Sequence, residues 1–135
     1  MTGPAAGEIA CQLKASGTVV LDATGHGTLT FDPDSGSQRW EVTGVVVKTD
    51  QAATATTVPV ATLALNTNTL SGMSPGNQRG STWSGNSDSF SGMVPVGPGD
   101  WLAVLFSPPP GNAGTTLSGV RASAVVTGTK YTRRT

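Results

Sequence analysis

The chain has 135 residues, enough for one domain with a modest core, and its eight basic residues are matched by eight acidic ones. With 12% of residues charged, a chain that holds nucleic acid or an anionic membrane through charge alone is excluded, because phosphate contacts require Lys and Arg in number. The 18 glycines, 9 prolines and abundant Thr and Ser leave no window of a dozen helix formers, so β structure is the expectation.

The opening, MTGPAAGEIACQLK, has an early acidic residue and lacks the charged-then-apolar order of a signal peptide. Residues 1–14 read as an N-terminal arm, with a short alternation at Ile9, Cys11 and Leu13. Cys11 is the single cysteine, so it has no internal disulfide partner, and it reads as a small buried hydrophobe. No segment approaches the roughly 18 apolar residues of a membrane span.

GTVVLDATGHGTLTF, from Gly17 to Phe31, reads as a hairpin. Val19 and Leu21 share one face of its first strand, Leu29 and Phe31 one face of its second, and Asp22 to Gly27 supplies the turn. His26, the single histidine, falls at the tip as an exposed turn residue, since a metal ligand needs companions. DPDSGSQ (Asp32 to Gln38) is a second connection. Its Asp32 and Asp34 lack the spacing and closing Glu of a calcium loop, and Asp and Pro serve ordinary turns.

A third strand spans about Arg39 to Thr49, where Gly44 breaks the alternation and predicts a bulge. A fourth follows at Val58 to Leu65. Asn66 to Ser91 is the least hydrophobic region and reads as long loops with a short strand near Ser81 to Ser84 and another at Ser87 to Val94. A turn at Val96 to Asp100 leads into WLAVLF (Trp101 to Phe106), apolar on both faces and therefore a central strand. SPPPGNAG must be a connection, because prolines cannot donate to a ladder. The last strand runs from Leu117 to about Lys130, with Val120, Ala122, Ala124 and Val126 on one face. Seven or eight strands with frequent turns indicate a single antiparallel β-sandwich, jelly-roll or immunoglobulin-like, over residues 15–130, with a basic tail at 131–135.

Catalytic chemistry finds no footing in this pattern. A nucleophilic triad needs a base beside an acid and a nucleophile, and one Cys with one His cannot make a zinc set. No catalytic, cofactor-binding or metal residue is assigned. Among the tryptophans, Trp40 and Trp101 fall in apolar strands and read as core. Trp83, among Ser and Gly, is the candidate for exposure to a neighbouring subunit or a glycan.

GTVVLDATGHGTLTFDP, QRWEVTGVVVKT and VPVGPGDWLAVLF followed by PPGNAGTTLSGVRASAVVTGT together resemble small β-sandwich virion proteins of tailed phages that infect actinobacteria. The resemblance spans about residues 16 to 129 and departs in SPPPGNAGTTLSG, which is longer than the usual turn. It implies a non-enzymatic structural protein, a capsid decoration or a minor tail or baseplate component, made in the host cytoplasm, not secreted, and carried in the virion. The implied partners are copies of itself and other virion proteins such as the major capsid or tail protein, with no nucleic acid and no membrane. Ile9, Leu13, Trp83, Arg133 and Arg134 are the candidate contacts, and both ends are expected to become ordered between subunits. The alternative is a carbohydrate-binding sandwich that adheres to host cell-wall glycan through Trp83.

Overall fold

A computed structural model of the chain describes residues 6–33, 36–51, 57–66, 87–109, 111 and 114–133. Seven strands lie within them: β1 (Glu8–Val20), β2 (Gly27–Phe31), β3 (Gln38–Thr49), β4 (Val60–Leu65), β5 (Ser87–Val96), β6 (Leu102–Ser107) and β7 (Arg121–Arg133). A 3-10 turn at Gly114–Leu117 precedes the last strand. The strands form two antiparallel sheets, in the orders β1-β7-β3-β5 and β2-β6-β4. The expected all-β sandwich is therefore the observed one.

Its pairing is nested. β1 pairs with β7, β2 with β6 and β3 with β5, as if one long ribbon had been folded double. Rolling that ribbon adds the β7–β3 and β6–β4 ladders. This is the jelly-roll order.

Alternation in each strand turns one face inward. From the four-stranded sheet come Leu13, Val42, Val94, Ala124 and Val126; from the three-stranded sheet come Phe31, Leu63, Leu102, Val104 and Phe106. β6 is central in its sheet, as its apolar run predicts, although Leu105 faces solvent. The predicted irregularity at Gly44 is a bulge: Val42 pairs Gly128 while Gly44 pairs Thr127, leaving Thr43 as the extra residue. The bulge switches which positions of β3 face inward, from Trp40 and Val42 to Val45 and Val47. Gly128 is required opposite it, because a Cβ there would land on the Glu41 carbonyl oxygen.

Four expectations need correction. Residues 8–14 are not an arm, because they form the first half of β1 and pair in register with β7 from Glu8↔Arg133 onward. The reason is a partner long enough to receive them: β7 continues through Tyr131 to Arg133, so those three residues are strand and not tail. The opening segment is no two-stranded hairpin either. Its turn forms, but β1 and β2 then diverge into different sheets. Finally, β7 begins at Arg121; Leu117 lies in the 3-10 turn and plugs the core from there.

Candidate functional site

The two ends of the sandwich differ, and the open one carries the unusual side chains. At the closed end, Leu21 donates its N–H to Val120 and accepts from Gly119, tying the β1–β2 corner to the loop before β7. The corner itself is an Asx turn. Asp22 Oδ1 accepts from the Thr24 N–H (2.9 Å), the Thr24 hydroxyl (2.7 Å) and the His26 N–H (3.1 Å). These donors, the Thr24 hydroxyl foremost, lower the carboxyl from its ordinary 3.8 to about 2. With its proton given to Asp22, the Thr24 oxygen is left to accept from His26 Nδ1, 2.9 Å away. His26 is thus an exposed turn residue, bound into the turn.

At the opposite end the four-stranded sheet runs past its partner sheet. Ile9 and Cys11 have the same parity as buried Leu13, yet both are exposed. Among the described residues no strand of the other sheet covers them, because β2 has ended at Phe31. This corrects two expectations: Cys11 is not buried, and Leu13, at 4% exposure, is core and not a contact residue.

The outer face of this same end holds a part-buried ion cluster. The Arg39 guanidinium grips Glu8 with Nε to Oε2 (3.1 Å) and Nη2 to Oε1 (2.9 Å), a bidentate pair. It also reaches Glu41 at 3.5 Å and stacks on the Tyr131 ring at 4.1 Å from the centroid. Tyr131 donates its hydroxyl to Glu41 Oε1 at 3.0 Å. Hydrogen bonding to Glu8 holds the Arg39 proton more tightly than usual, against the opposing effect of burial. Glu8 and Glu41 side chains are only 5% and 8% exposed. The alternation of β3 places Glu41 on the solvent side, and nothing in the sequence signals that Arg39 and Tyr131 roof it over.

Between the free edges of β1 and β2 lies a cleft of about 390 Å³. The two edges approach closely at Gly17 and Gly27, where an added Cβ would meet Leu29 and Val19 respectively. They separate toward the open end, and there Gln12 to Ala15, Thr30 to Asp32, Trp40 and Lys130 line the gap. Trp40 is 5% exposed, and its Nε1, itself shut off from solvent, has no hydrogen-bond partner among the described residues. The register sets Trp40 opposite Lys130.

Of the sequence-derived contacts, Ile9 is exposed on β1 and Arg133 is exposed at the end of β7. Trp83 and Arg134 lie outside the described residues. Trp101 is not core. It precedes β6, is 37% exposed, and is held by Asn66, which accepts the Trp101 N–H at 3.0 Å and donates its own N–H to the Trp101 carbonyl. Among the described residues no His, Cys, Asp and Glu group could hold a metal ion, and no helix is long and apolar enough to cross a membrane.

No protein-family model and no curated protein matches the sequence. Among solved structures, a crystal structure of FLHE is similar at 18% sequence identity and a TM-score of 0.40, covering 96% of this chain and 100% of that chain.

Proposed function

We propose that the chain is a non-enzymatic structural protein of a tailed-phage virion, mounted on the outside of the capsid or on the tail or baseplate. It works through contacts with copies of itself and with the shell or tube beneath. The observation that carries this reading, beyond the sequence resemblance, is the free edge of β1. That strand is 13 residues long and lies at the margin of its sheet, longer than strands usually run. Exposed edges of this kind are templates for another chain, and proteins that do not use them blunt them with charge, proline or bulges. β1 carries none of these along its interior except Lys14, and it shows Ile9 at 45% and Val20 at 53% exposure. An edge that adds a neighbour's strand gains affinity from backbone hydrogen bonds, with little demand on side-chain sequence.

Mass spectrometry of purified particles tests the reading. The protein is expected in intact virions, and its absence from them overturns the assignment. Copy number then divides the positions, hundreds for a capsid decoration and a handful for a tail or baseplate part.

A carbohydrate-binding role is the second reading, and the exposed Trp101 favours it. The indole is presented on a backbone fixed by Asn66, which also donates its side-chain amide to Asp100 at 3.1 Å. An exposed indole offers a flat apolar face to a sugar ring. Trp101→Ala is expected to weaken retention on cell-wall polysaccharide, and unchanged retention removes this reading.

A further inference from the structure

We infer that two copies of the chain pair through β1, antiparallel and centred on Cys11, to make one continuous sheet across a two-fold axis. The inference rests on the reading of the β1 edge as an assembly surface and commits that edge to one partner and one register. Backbone bonds show which groups of β1 face away from β7. The Arg133 N–H goes to Ser37 and the Arg121 carbonyl accepts from Asp50, both on the β3 side of β7. Hydrogen-bonded and non-hydrogen-bonded pairs alternate along an antiparallel ladder, so Glu8↔Arg133 and Val20↔Arg121 are non-hydrogen-bonded pairs of β1 with β7. The Leu21 N–H, one residue further on, does reach across to Val120. The register between these points is unbroken, so the even-numbered residues of β1 turn their N–H and C=O outward. At the open end these include Ala10, Gln12 and Lys14.

The stretch that can receive a strand is bounded. Toward the closed end β2 draws in, and a Cβ at Gly17 would lie 3.2 Å from Leu29. At the open end Ile9 to Gln12 are exposed on both faces of the sheet. Of the other sheet margins, β5 carries Pro95, which cannot donate, and β2 and β4 run for only five and six residues. The edge best matched to β1 is therefore a second β1. Charge selects the register. β1 holds one acid, Glu8, and one base, Lys14, both on the outer face. Centring the pair on either of them sets like charges opposite, which is unfavourable. Centring it on Cys11 sets Lys14 opposite the partner's Glu8 at each end of the ribbon. Arg39 holds Glu8 from the β3 side, and the partner's Lys14 arrives from the other. Ala10 and the partner's Gln12 then exchange both backbone hydrogen bonds. Ile9, 45% exposed in the single chain, comes beside the partner's Leu13. Cys11, exposed in the single chain, faces the partner's Cys11 as a non-hydrogen-bonded pair, with Cβ atoms about 4.5–5.5 Å apart. That spacing is close to the roughly 3.8 Å of a disulfide.

The test follows the purified full chain by sedimentation and by disulfide trapping. A concentration-dependent dimer is expected. Dioxygen with a copper–phenanthroline catalyst should link the two Cys11 thiols, which lose two protons and two electrons to form the S–S bond while oxygen is reduced to hydrogen peroxide. In a Cys11→Ser background, Ile9→Cys should link at least about tenfold more slowly, because those thiols lie about 14 Å apart in this register. Gln12→Pro removes an outward N–H and spares the β7 ladder, so it should abolish the dimer while the chain still folds. Lys14→Glu, at an exposed side chain, brings like charges opposite and should weaken the dimer by about fivefold; it decides the matter if the proline variant does not fold. A chain that stays monomeric, Ile9→Cys that links as fast as Cys11, or a dimer that Lys14→Glu and a folded Gln12→Pro leave unchanged each overturns the inference. A monomeric chain found in purified virions overturns this pairing alone, and a dimer absent from virions overturns the virion reading alone.

Discussion

The two ends of this sandwich are built by opposite means. The closed end is sealed with apolar side chains and backbone hydrogen bonds: Leu21 and Leu117 fill it, and Leu21 bonds to Val120 and Gly119. The open end is held by charge, with Glu8, Arg39, Glu41 and Tyr131 clamping three strands on the outer face while Ile9 and Cys11 stay uncovered on the inner one. Buried ion pairs contribute little net stability compared with apolar packing of the same volume. They do fix geometry, because a bidentate arginine tolerates one arrangement. The difference teaches that the open end is specified in position without being closed over.

The largest effect is expected from removing the open end's first strand segment. Deleting residues 1–13 takes away Glu8, which partners Arg39, and Leu13, which is core, together with the β7 ladder from Arg133 to Gly128. A loss of about 5 kcal/mol or more is expected, comparable with the stability of a whole domain, so the truncated chain should lose its cooperative transition in circular dichroism. A truncation that still melts cooperatively near the parent temperature would return residues 8–13 to the status of an arm.

Gly128→Ala comes next. Its Cβ would strike the Glu41 backbone at the bulge, where neither strand can retreat without breaking a ladder. A cost of about 3 kcal/mol or more is expected in urea unfolding. Gly99→Ala, also at a positive φ but with open space around it, should cost about 1 kcal/mol, so the pair separates collision from backbone strain.

Tyr131→Phe leaves buried Glu41 without its hydroxyl donor, and a loss of about 1–2 kcal/mol is expected. A Glu8→Gln, Arg39→Gln double-mutant cycle should give a coupling energy above the usual value for surface pairs, roughly 1 kcal/mol or less. A coupling near zero would show the clamp to be ornamental. Ile9→Lys, by contrast, is expected to change stability by no more than about 0.5 kcal/mol and to suppress self-association in sedimentation. Unchanged association would remove the β1 edge from the assembly surface.

The smallest expected effect belongs to the closed end. The Asp22 carboxyl is lowered in the folded chain, so what it contributes to holding the turn is fully present above the unfolded value of 3.8 and is lost as pH falls toward about 2. The Thr24 and His26 amide signals should move across that acid window. Asp22→Asn should abolish the movement. Titration of these amides at their usual carboxylate midpoint would show that the turn does not hold the charge.

Strands were legible in the sequence wherever alternation met a turn signal, as at Leu29 and Phe31 or at Gly44, where one glycine announced the bulge. Pairing was not legible. The Asp22 to Gly27 signature specifies a reversal of direction, but it does not say whether the flanking strands stay together or part into two sheets, and here they part. The period-two pattern of Ile9, Cys11 and Leu13 was visible, yet its meaning depended on a partner more than a hundred residues away in the chain. The cleft was hidden for a related reason. Lys130 comes opposite Trp40 only through the register that the Gly44 bulge sets between β3 and β7, and a missing hydrogen bond on an indole leaves no mark in sequence.

The nested pairing has a consequence for how the molecule comes into being. Synthesis runs from β1 to β7, so the first strand leaves the ribosome long before the strand that receives it exists. β3 gains β5 earlier, but β7, which joins β1 to β3 in the four-stranded sheet, is delivered last. Until then the exposed edge of β1 has no mate within its own chain, and copies emerging side by side on one message can offer theirs. Pairing between such distant segments is slow, and unpaired edges during that wait favour mispairing between chains. The order of synthesis thus leaves the longest edge of the molecule open for as long as its own last strand is missing.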